Sequence, residues 1–190
     1  ENKDNVLPAY ILSDSFYGFE FAKLKELCNP NTAYYNHPMM RRPKMQIESL
    51  AKRQPGIKYT DLNMQDMNGA KVKLSQFVGN GKYVLVDFWA SWCGWCRAEF
   101  PVLKEVYAKY KDQNFELLGI AVNDDREKTL KAMKEDGVTW PQILNTGKVA
   151  MEAYGIAGIP EIILFAPDGK ILARGLRGDE LKAKVVEVME

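Results

Sequence analysis

The sequence predicts an α/β domain in which a central mixed β-sheet is covered by helices on both faces. Buried central strands are indicated by two apolar runs, at residues 83–89 and 115–122. Helical periodicity follows each run, so strands and helices alternate along the chain. The chain ends with three predicted elements: a strand at 161–166, a strand at 171–174 that pairs back onto it, and a helix at 179–190.

Composition narrows the class of protein. Hydrophobic residues make up 46% of the 190 and charged residues 27%, as is typical of a packed globular protein. The net charge of +1 gives no reason to expect nucleic acid or an anionic membrane surface as a partner. Because the sequence has no apolar run of about 18 residues, we expect no transmembrane segment within it.

A domain boundary is predicted at the turn sequence Gln54-Pro55-Gly56. Residues 1–54 carry helical apolar stripes, and we expect them to form a small helical segment that belongs to a larger N-terminal region. Residues 55–190 are expected to form the main domain. The first residues lack signal-peptide character, so we expect any export signal to have been removed or to lie outside this sequence.

The elements between these ends each have a local cause. Asn68-Gly69 predicts a β-hairpin with strands at residues 59–64 and 70–74, because glycine supplies the positive φ of a tight turn. A helix that begins near Gly94 has its apolar residues on one face. The remaining predicted elements are a helix capped by residues 123–125 and ending at Gly137, an extended piece at 140–144, and a helix through Val149 and Tyr154.

Cys93 and Cys96 lie where the apolar run at 83–89 gives way to this helix. The free N–H groups and the positive dipole end of a first helical turn stabilise a thiolate at Cys93. Two intervening residues let both sulfurs meet across one turn, so a disulfide can close and reopen. Spacing alone leaves two alternatives, a pair of inert buried thiols and half of a zinc site.

Other cysteine chemistry finds little support in the sequence. Zinc sites need four ligands, and besides this pair the chain offers only Cys28 and His37, so no metal is expected. Covalent haem attachment requires a histidine after the second cysteine, where Arg97 stands. We assign no chemistry to His37, and we expect Cys28 to be a half-buried thiol.

Residues 86–96, VDFWASWCGWC, resemble the active-site segment of thioredoxin-like proteins. Three further matches are Asp87, at the place of a buried carboxylate, Pro101 in the active-site helix, and Gly158-Ile159-Pro160, at the place of a cis-proline loop. The resemblance covers roughly residues 56–190 and implies a thioredoxin-like fold. The predicted hairpin and the extra strand–helix pair are similar to the TlpA/ResA branch, and a relation to the AhpC/TSA family is expected.

The resemblance implies a role for each of these residues. Cys93 would be the exposed thiolate that attacks a partner disulfide, Cys96 would resolve the mixed disulfide, and Asp87 would act as the base for that second step. An apolar strand around Asp87 would raise its pKa. Substrate binding or shaping of the active site is expected from six more residues: Trp92, Gly94, Trp95, Ile159, Pro160 and Glu161.

Two residues depart from the family pattern. Trp95 stands where proline is usual; it frees an N–H that would stabilise the thiolate, while its ring would screen Cys93. Glu161 stands where a small hydroxyl residue is common, and if directed at Cys93 its charge would raise the pKa of that thiol. Because these effects oppose each other, the sequence leaves the reduction potential open.

The favoured function is a thiol-disulfide oxidoreductase that reduces extracytoplasmic protein disulfides and receives electrons from another protein. Its redox group would be the Cys93–Cys96 couple, with no further cofactor and no metal. The resemblance implies a bacterial periplasm or cell envelope, often with a membrane anchor, and roles in redox homeostasis or cytochrome c maturation. One alternative is a thiol peroxidase, although the Pro-x-x-x-Thr-x-x-Cys pattern is absent before Cys93. Another is a non-catalytic binding module or chaperone, against which Asp87 and Pro160 count.

Overall fold

The computed structural model describes residues 4–144 and 146–190. The chain divides into two compact units, one reaching Lys52 and the other running from Arg53 to Glu190. Within the described ranges, no helix has both the length and the apolar character needed to cross a bilayer. Whether residues 1–54 belong to a larger N-terminal region stays a prediction.

The described part of the first unit contains three α-helices with a core of their own: α1 (Leu7–Ser15), α2 (Phe21–Leu27) and α3 (Arg41–Ala51). Cys28 is buried in this core as a free thiol, more deeply than the sequence predicts. His37 precedes a short 3-10 turn, and its Nδ1 accepts a hydrogen bond from the N–H of Met39 at 3.3 Å. The surroundings of Cys28 and His37 are therefore those of residues that support the local structure of this unit.

Within the described residues, the second unit is built on a seven-stranded mixed sheet with the order β2-β1-β5-β4-β3-β6-β7. At its centre β3 is parallel to β4 and antiparallel to β6, as the predicted mixed sheet requires. The strands are β1 (Asn63–Asp66), β2 (Lys71–Lys73), β3 (Tyr83–Trp89), β4 (Phe115–Ala121), β5 (Gln142–Leu144), β6 (Glu161–Phe165) and β7 (Ile171–Arg174).

In the part of the chain that the structure describes, four α-helices cover this sheet: α4 (Gly94–Tyr110), α5 (Arg126–Glu135), α6 (Val149–Tyr154) and α7 (Gly178–Met189). Their buried side chains form two cores. The first contains residues of α4, α5 and α7, and the second contains residues of α6 and β1. Side chains alternate along β3, so Leu85 and Trp89 enter the first core while Val86 and Phe88 enter the second. The sheet thus separates the two cores.

The predicted hairpin is present, but its first strand begins later than expected. Gly69 has a φ of +85° in the turn, and β1 starts at Asn63 instead of residue 59. The preceding segment pairs elsewhere, because the N–H of Tyr59 donates to the carbonyl of Gly169 at 2.9 Å and Lys58 forms a β-bridge with Lys170. A partner distant in the chain therefore decides where this strand begins.

Candidate active site

The active-site turn runs from the end of β3 to the start of α4, with Cys93 as the N-cap residue of the helix. Its Sγ accepts a hydrogen bond from the N–H of Cys96 at 3.1 Å. Its carbonyl oxygen accepts from the N–H groups of Cys96 and Arg97 at 3.1 and 3.2 Å. The N–H of Cys96, one of those that a helix leaves unpaired in its first turn, is therefore directed at Sγ of Cys93, as the sequence predicts.

Cys93 and Cys96 form a disulfide, with their Cα atoms 5.3 Å apart. Cys96 is fully buried, whereas Cys93 keeps 6% of its surface exposed. The prediction of an exposed Cys93 is therefore wrong for the disulfide form, because both residues pack in the first core of the sheet. Solvent still reaches this sulfur pair only on the Cys93 side. Among the described residues, no group of three or more His, Cys, Asp or Glu is placed to hold a metal ion.

Asp87 lies in β3 and is 1% exposed, and neither oxygen of its carboxylate has a hydrogen-bond partner among the described residues. Its neighbours Leu85 and Trp89 belong to the same core as both cysteines, so the alternation of β3 places Asp87 on that face. Loss of hydration raises the pKa of Asp87 to about 8, although the charge of Arg177 lowers it.

Glu99 is a site residue that the sequence analysis missed. Its charge raises the pKa of Asp87, and its Oε2 accepts a hydrogen bond from the N–H of Gly178 at 2.9 Å. Glu99 follows Cys96 by three residues in α4, so a helical turn places both side chains on one side of the helix. That spacing was the available sign in the sequence.

The loop before β6 carries Ile159 and Pro160, and the peptide bond between them is cis, as the resemblance predicts. The carbonyl of Pro160 accepts a hydrogen bond from the guanidinium of Arg177. Arg177 also donates to the carbonyl of Leu176 at 2.6 Å. Arg177, which acts on the pKa of Asp87, therefore also anchors this loop.

Comparisons with known proteins decide the family of this chain. Residues 55–174 match the model of the AhpC/TSA family. The chain belongs to this family. Thiol-disulfide oxidoreductase ResA of Bacillus subtilis is 32% identical over 57% of the chain and 60% of its own length. ResA of Bacillus thuringiensis is 27% identical over 82% of the chain and 84% of its own length.

Solved structures agree with this assignment. The thioredoxin domain of a Bacteroides vulgatus thiol-disulfide oxidoreductase is 39% identical, with a TM-score of 0.67 over 72% of this chain and 99% of that one. A thiol:disulfide interchange protein from a Bacteroides species is also 39% identical, with a TM-score of 0.65 over 72% of this chain and 90% of that one. The predicted thioredoxin-like fold is confirmed, and this AhpC/TSA-family chain is a TlpA/ResA-like thiol-disulfide oxidoreductase.

Two tryptophans of this AhpC/TSA-family protein flank the disulfide and face solvent. Trp92 is 61% exposed and Trp95 is 81% exposed. The indole N–H of Trp92 donates to the carbonyl of Asn123 at 3.1 Å, which fixes its ring. The exposure of Trp95 is too large for a ring packed over the disulfide, so it does not screen Cys93. A Cβ added at Gly94 would meet no atom within 4 Å, so local packing does not require glycine there.

The active-site turn of this family member is held by Asp124, which the sequence analysis treated only as part of a helix cap. Its Oδ2 accepts from the N–H of Ser91 at 2.5 Å, and its Oδ1 accepts from the hydroxyl of Ser91 at 2.8 Å. The hydroxyl of Thr129 donates to Oδ2 at 2.8 Å. Asp125 is the actual N-cap of α5, since its side chain accepts from the N–H groups of Glu127 and Lys128.

Glu161 does not approach Cys93 in the way considered from the sequence. It pairs with Phe88 across β3 and β6, and directly paired residues share a sheet face, so its side chain belongs to the face opposite Asp87. Its Oε2 lies 3.3 Å from the Nε of Arg53, and its Oε1 accepts from the N–H of Gly175 at 2.9 Å. Both oxygens of this carboxylate therefore have partners away from the disulfide.

Proposed function

We propose that this protein reduces disulfide bonds of extracytoplasmic proteins through the Cys93–Cys96 couple, using electrons from another protein. The observation that carries the proposal is the asymmetric disulfide at the start of α4. One of its sulfurs belongs to a fully buried residue, the other retains contact with solvent, and a buried carboxyl lies on the same face of the sheet. The relatives named thiol-disulfide oxidoreductases support the reaction class.

In the first step the Cys93 thiolate attacks one sulfur of the partner disulfide. A mixed disulfide forms, and the second partner sulfur leaves as a thiolate. The hydrogen bond from the N–H of Cys96 to Sγ of Cys93 and the positive end of the α4 dipole both favour the anionic nucleophile. Cys93 takes this role because it is the cysteine of the pair that solvent reaches.

In the second step Cys96 loses its proton and attacks the sulfur of Cys93. The partner leaves as a dithiol carrying two electrons, and the Cys93–Cys96 disulfide closes again. Burial holds the Cys96 thiol neutral, so a base is needed, and the carboxylate of Asp87 accepts the proton. An upstream protein dithiol then reduces the disulfide through the same exchange in reverse.

Partner recognition falls to the exposed groups around the disulfide. The main chain of Ile159 would pair with an extended partner segment, since Pro160 has no N–H and its carbonyl is held by Arg177. Trp92 and Trp95 offer aromatic surface of the kind enriched at protein interfaces. The location outside the cytoplasm and the service to cytochrome c maturation rest on the similarity to TlpA/ResA-like proteins, and both are part of the proposal.

Insulin reduction in the presence of dithiothreitol tests the reaction. The wild type should accelerate the precipitation of insulin chains, and Cys93→Ala should reduce the rate to that of dithiothreitol alone. Equal rates for the two proteins would remove the proposed function. Cys28→Ala is the matched control, because it deletes a buried thiol in the other unit and should leave the rate at the wild-type value.

A trapping experiment tests which sulfur attacks and identifies the partner. Cys96→Ala should accumulate mixed disulfides in an extract of the native organism, because the resolving thiol is missing, and mass spectrometry of the adducts should find disulfide-bearing proteins. Cys93→Ala, analysed in parallel, should trap none. Adducts on Cys93→Ala and none on Cys96→Ala would reverse the assigned roles.

A thiol peroxidase is the second candidate, because peroxiredoxins share this fold and the chain belongs to the AhpC/TSA family. Peroxide consumption with a thiol donor measures this activity directly. If Cys93 reduces peroxide, Cys93→Ala should abolish the consumption. Wild-type protein that consumes peroxide but does not reduce insulin would favour the peroxidase over the reductase.

A further inference from the structure

Arg53 and Glu161 form a buried ion pair that the proposed reaction does not use. Arg53 is 5% exposed and Glu161 is 7% exposed. Arg53 is the first residue of the thioredoxin-like unit, whereas Glu161 opens β6 directly after Pro160. Charged side chains are almost never buried to this extent without a partner.

The guanidinium of Arg53 also contacts main-chain carbonyls besides Glu161. Its Nη1 donates to the carbonyl of Tyr154 at 3.2 Å and to the carbonyl of Gly155. Tyr154 is the last residue of α6, and Gly155 continues the chain in the left-handed region with a φ of 61°. Arg53 therefore contacts the place where the chain leaves α6.

These contacts join the two ends of one loop. Residues 155–160 connect α6 to β6, and they carry the Ile159 main chain and Pro160 that would face the partner. Arg53 binds carbonyls at the start of this loop and the Glu161 carboxylate at its end. A planar guanidinium holds several acceptors in a fixed geometry, as a single ammonium does not.

Stability alone does not account for such a pair. Taking two charges out of water opposes folding, and apolar residues of similar volume often serve as well or better. What the pair supplies specifically is geometry, because Oε2 of Glu161 and the donors of Arg53 define the separation of the loop ends. The pair lies on the sheet face opposite Asp87, so Arg53 takes no part in the sulfur chemistry.

We propose that Arg53 is a positioning residue that fixes the loop at residues 155–160 in the conformation that binds the partner protein. The inference rests on the proposed function and adds to it the residue that sets the geometry of the substrate-binding loop. Loss of Arg53 should weaken partner binding more than it slows the exchange steps, because Arg53 acts on the loop and not on the sulfurs.

Steady-state reduction of insulin separates these two effects. We expect Arg53→Met to raise KM for insulin about tenfold and to change kcat much less, as a small misplacement of a binding group does. Arg53→Lys keeps the charge but not the planar fork, so its KM should lie between those of the wild type and Arg53→Met. Glu161→Gln keeps the side-chain shape and should raise KM less than Arg53→Met.

Tyr154→Phe is the matched control, because it acts at the same end of α6 without removing a contact of Arg53. The Tyr154 hydroxyl donates to the carbonyl of Thr60 and accepts from its N–H, so the variant loses two partly buried hydrogen bonds elsewhere. Its KM should stay within about twofold of the wild type. Hydrogen exchange at residues 156–159 should accelerate in Arg53→Met and not in Tyr154→Phe.

Each outcome separates this inference from the proposed function. Wild-type KM in Arg53→Met and Arg53→Lys overturns the role of Arg53 while leaving the reductase intact, and so does an equal rise in KM for Tyr154→Phe. If Arg53→Met does not fold, Arg53→Lys and Glu161→Gln provide the same comparison. A wild type that fails to reduce insulin overturns the proposed function. Hydrogen exchange at residues 156–159 then still tests whether Arg53 fixes the loop.

Discussion

Asp87 and Glu161 are two buried carboxylates on neighbouring strands, and they differ in sheet face and in hydrogen-bond partners. The register of β3 and β6 pairs Glu161 with Phe88 and Asp87 with Ile162, so the two carboxylates lie on opposite faces of the sheet. Glu161 has a partner for each oxygen, one from Arg53 and one from Gly175. Neither oxygen of Asp87 has one among the described residues.

The contrast shows that burial alone does not decide what a carboxyl does. Both groups are almost completely covered, so both lose hydration. At Glu161 a cation and an N–H replace the lost water, and the group joins two segments of the backbone. At Asp87 the charged form lacks such replacement, so its pKa rises to about 8 and a proton can leave or return near neutral pH.

The largest expected effect is the loss of stability when the carboxylate of Glu161 is removed. Glu161→Ala removes the carboxylate partner of the buried Arg53 guanidinium and should lower the free energy of unfolding by about 3–5 kcal/mol, measured by urea denaturation at pH 7. Replacing both partners, as in Arg53→Met with Glu161→Leu, should recover most of this loss because neither buried charge is then present. A double variant as unstable as Glu161→Ala would show that the loss comes from packing and not from charge.

A smaller effect is expected on the rate of the resolving step. Asp87→Asn keeps the shape of the side chain and removes the base, so release of thionitrobenzoate from its mixed disulfide with Cys93 should slow about 100-fold at pH 8. The wild-type rate should rise with pH through about 8, the pKa of Asp87, and the variant should lack this rise. Asp168→Asn, which changes an exposed carboxylate in the turn before β7, should behave as the wild type. Equal rates for wild type and Asp87→Asn would exclude Asp87 as the base.

The third expected effect is on the pH dependence of stability. Because the pKa of Asp87 is higher in the folded protein than in the unfolded chain, the folded state holds an extra proton between pH about 4 and about 8. Wild-type stability should therefore fall as the pH rises across this window, relative to Asp87→Asn, and level off above it. Urea denaturation of the oxidised proteins at several pH values measures this difference. If stability depends on pH in the same way for both proteins, the pKa of Asp87 is not raised in the folded state.

Local patterns in the sequence were sufficient for most of the fold and for the sulfur pair. The apolar run at 83–89 became β3, and the change of period near Gly94 marked the start of α4. The predicted start of a strand at Tyr59 was wrong, because the hydrogen-bond partner of Tyr59, Gly169, is distant in the chain. Position along the chain could not show where Glu161 points, since that depends on the register of β6 against β3.

The same limit applies to the residues that support the site. Glu99 carried a helical spacing from Cys96 that could have been recognised. Arg53 carried no such sign, because its partners lie in another segment and no local period connects them. Residues that act through distant partners become visible only when the chain is folded.

Because solvent reaches the disulfide only on the Cys93 side, the structure also limits how the two partner proteins can bind. With Cys96 covered, the donor that loads electrons and the acceptor that takes them must dock in turn at the sulfur of Cys93. The donor and the acceptor cannot bind at the same time, so turnover should follow a ping-pong mechanism. An excess of either protein should inhibit the reaction of the enzyme with the other.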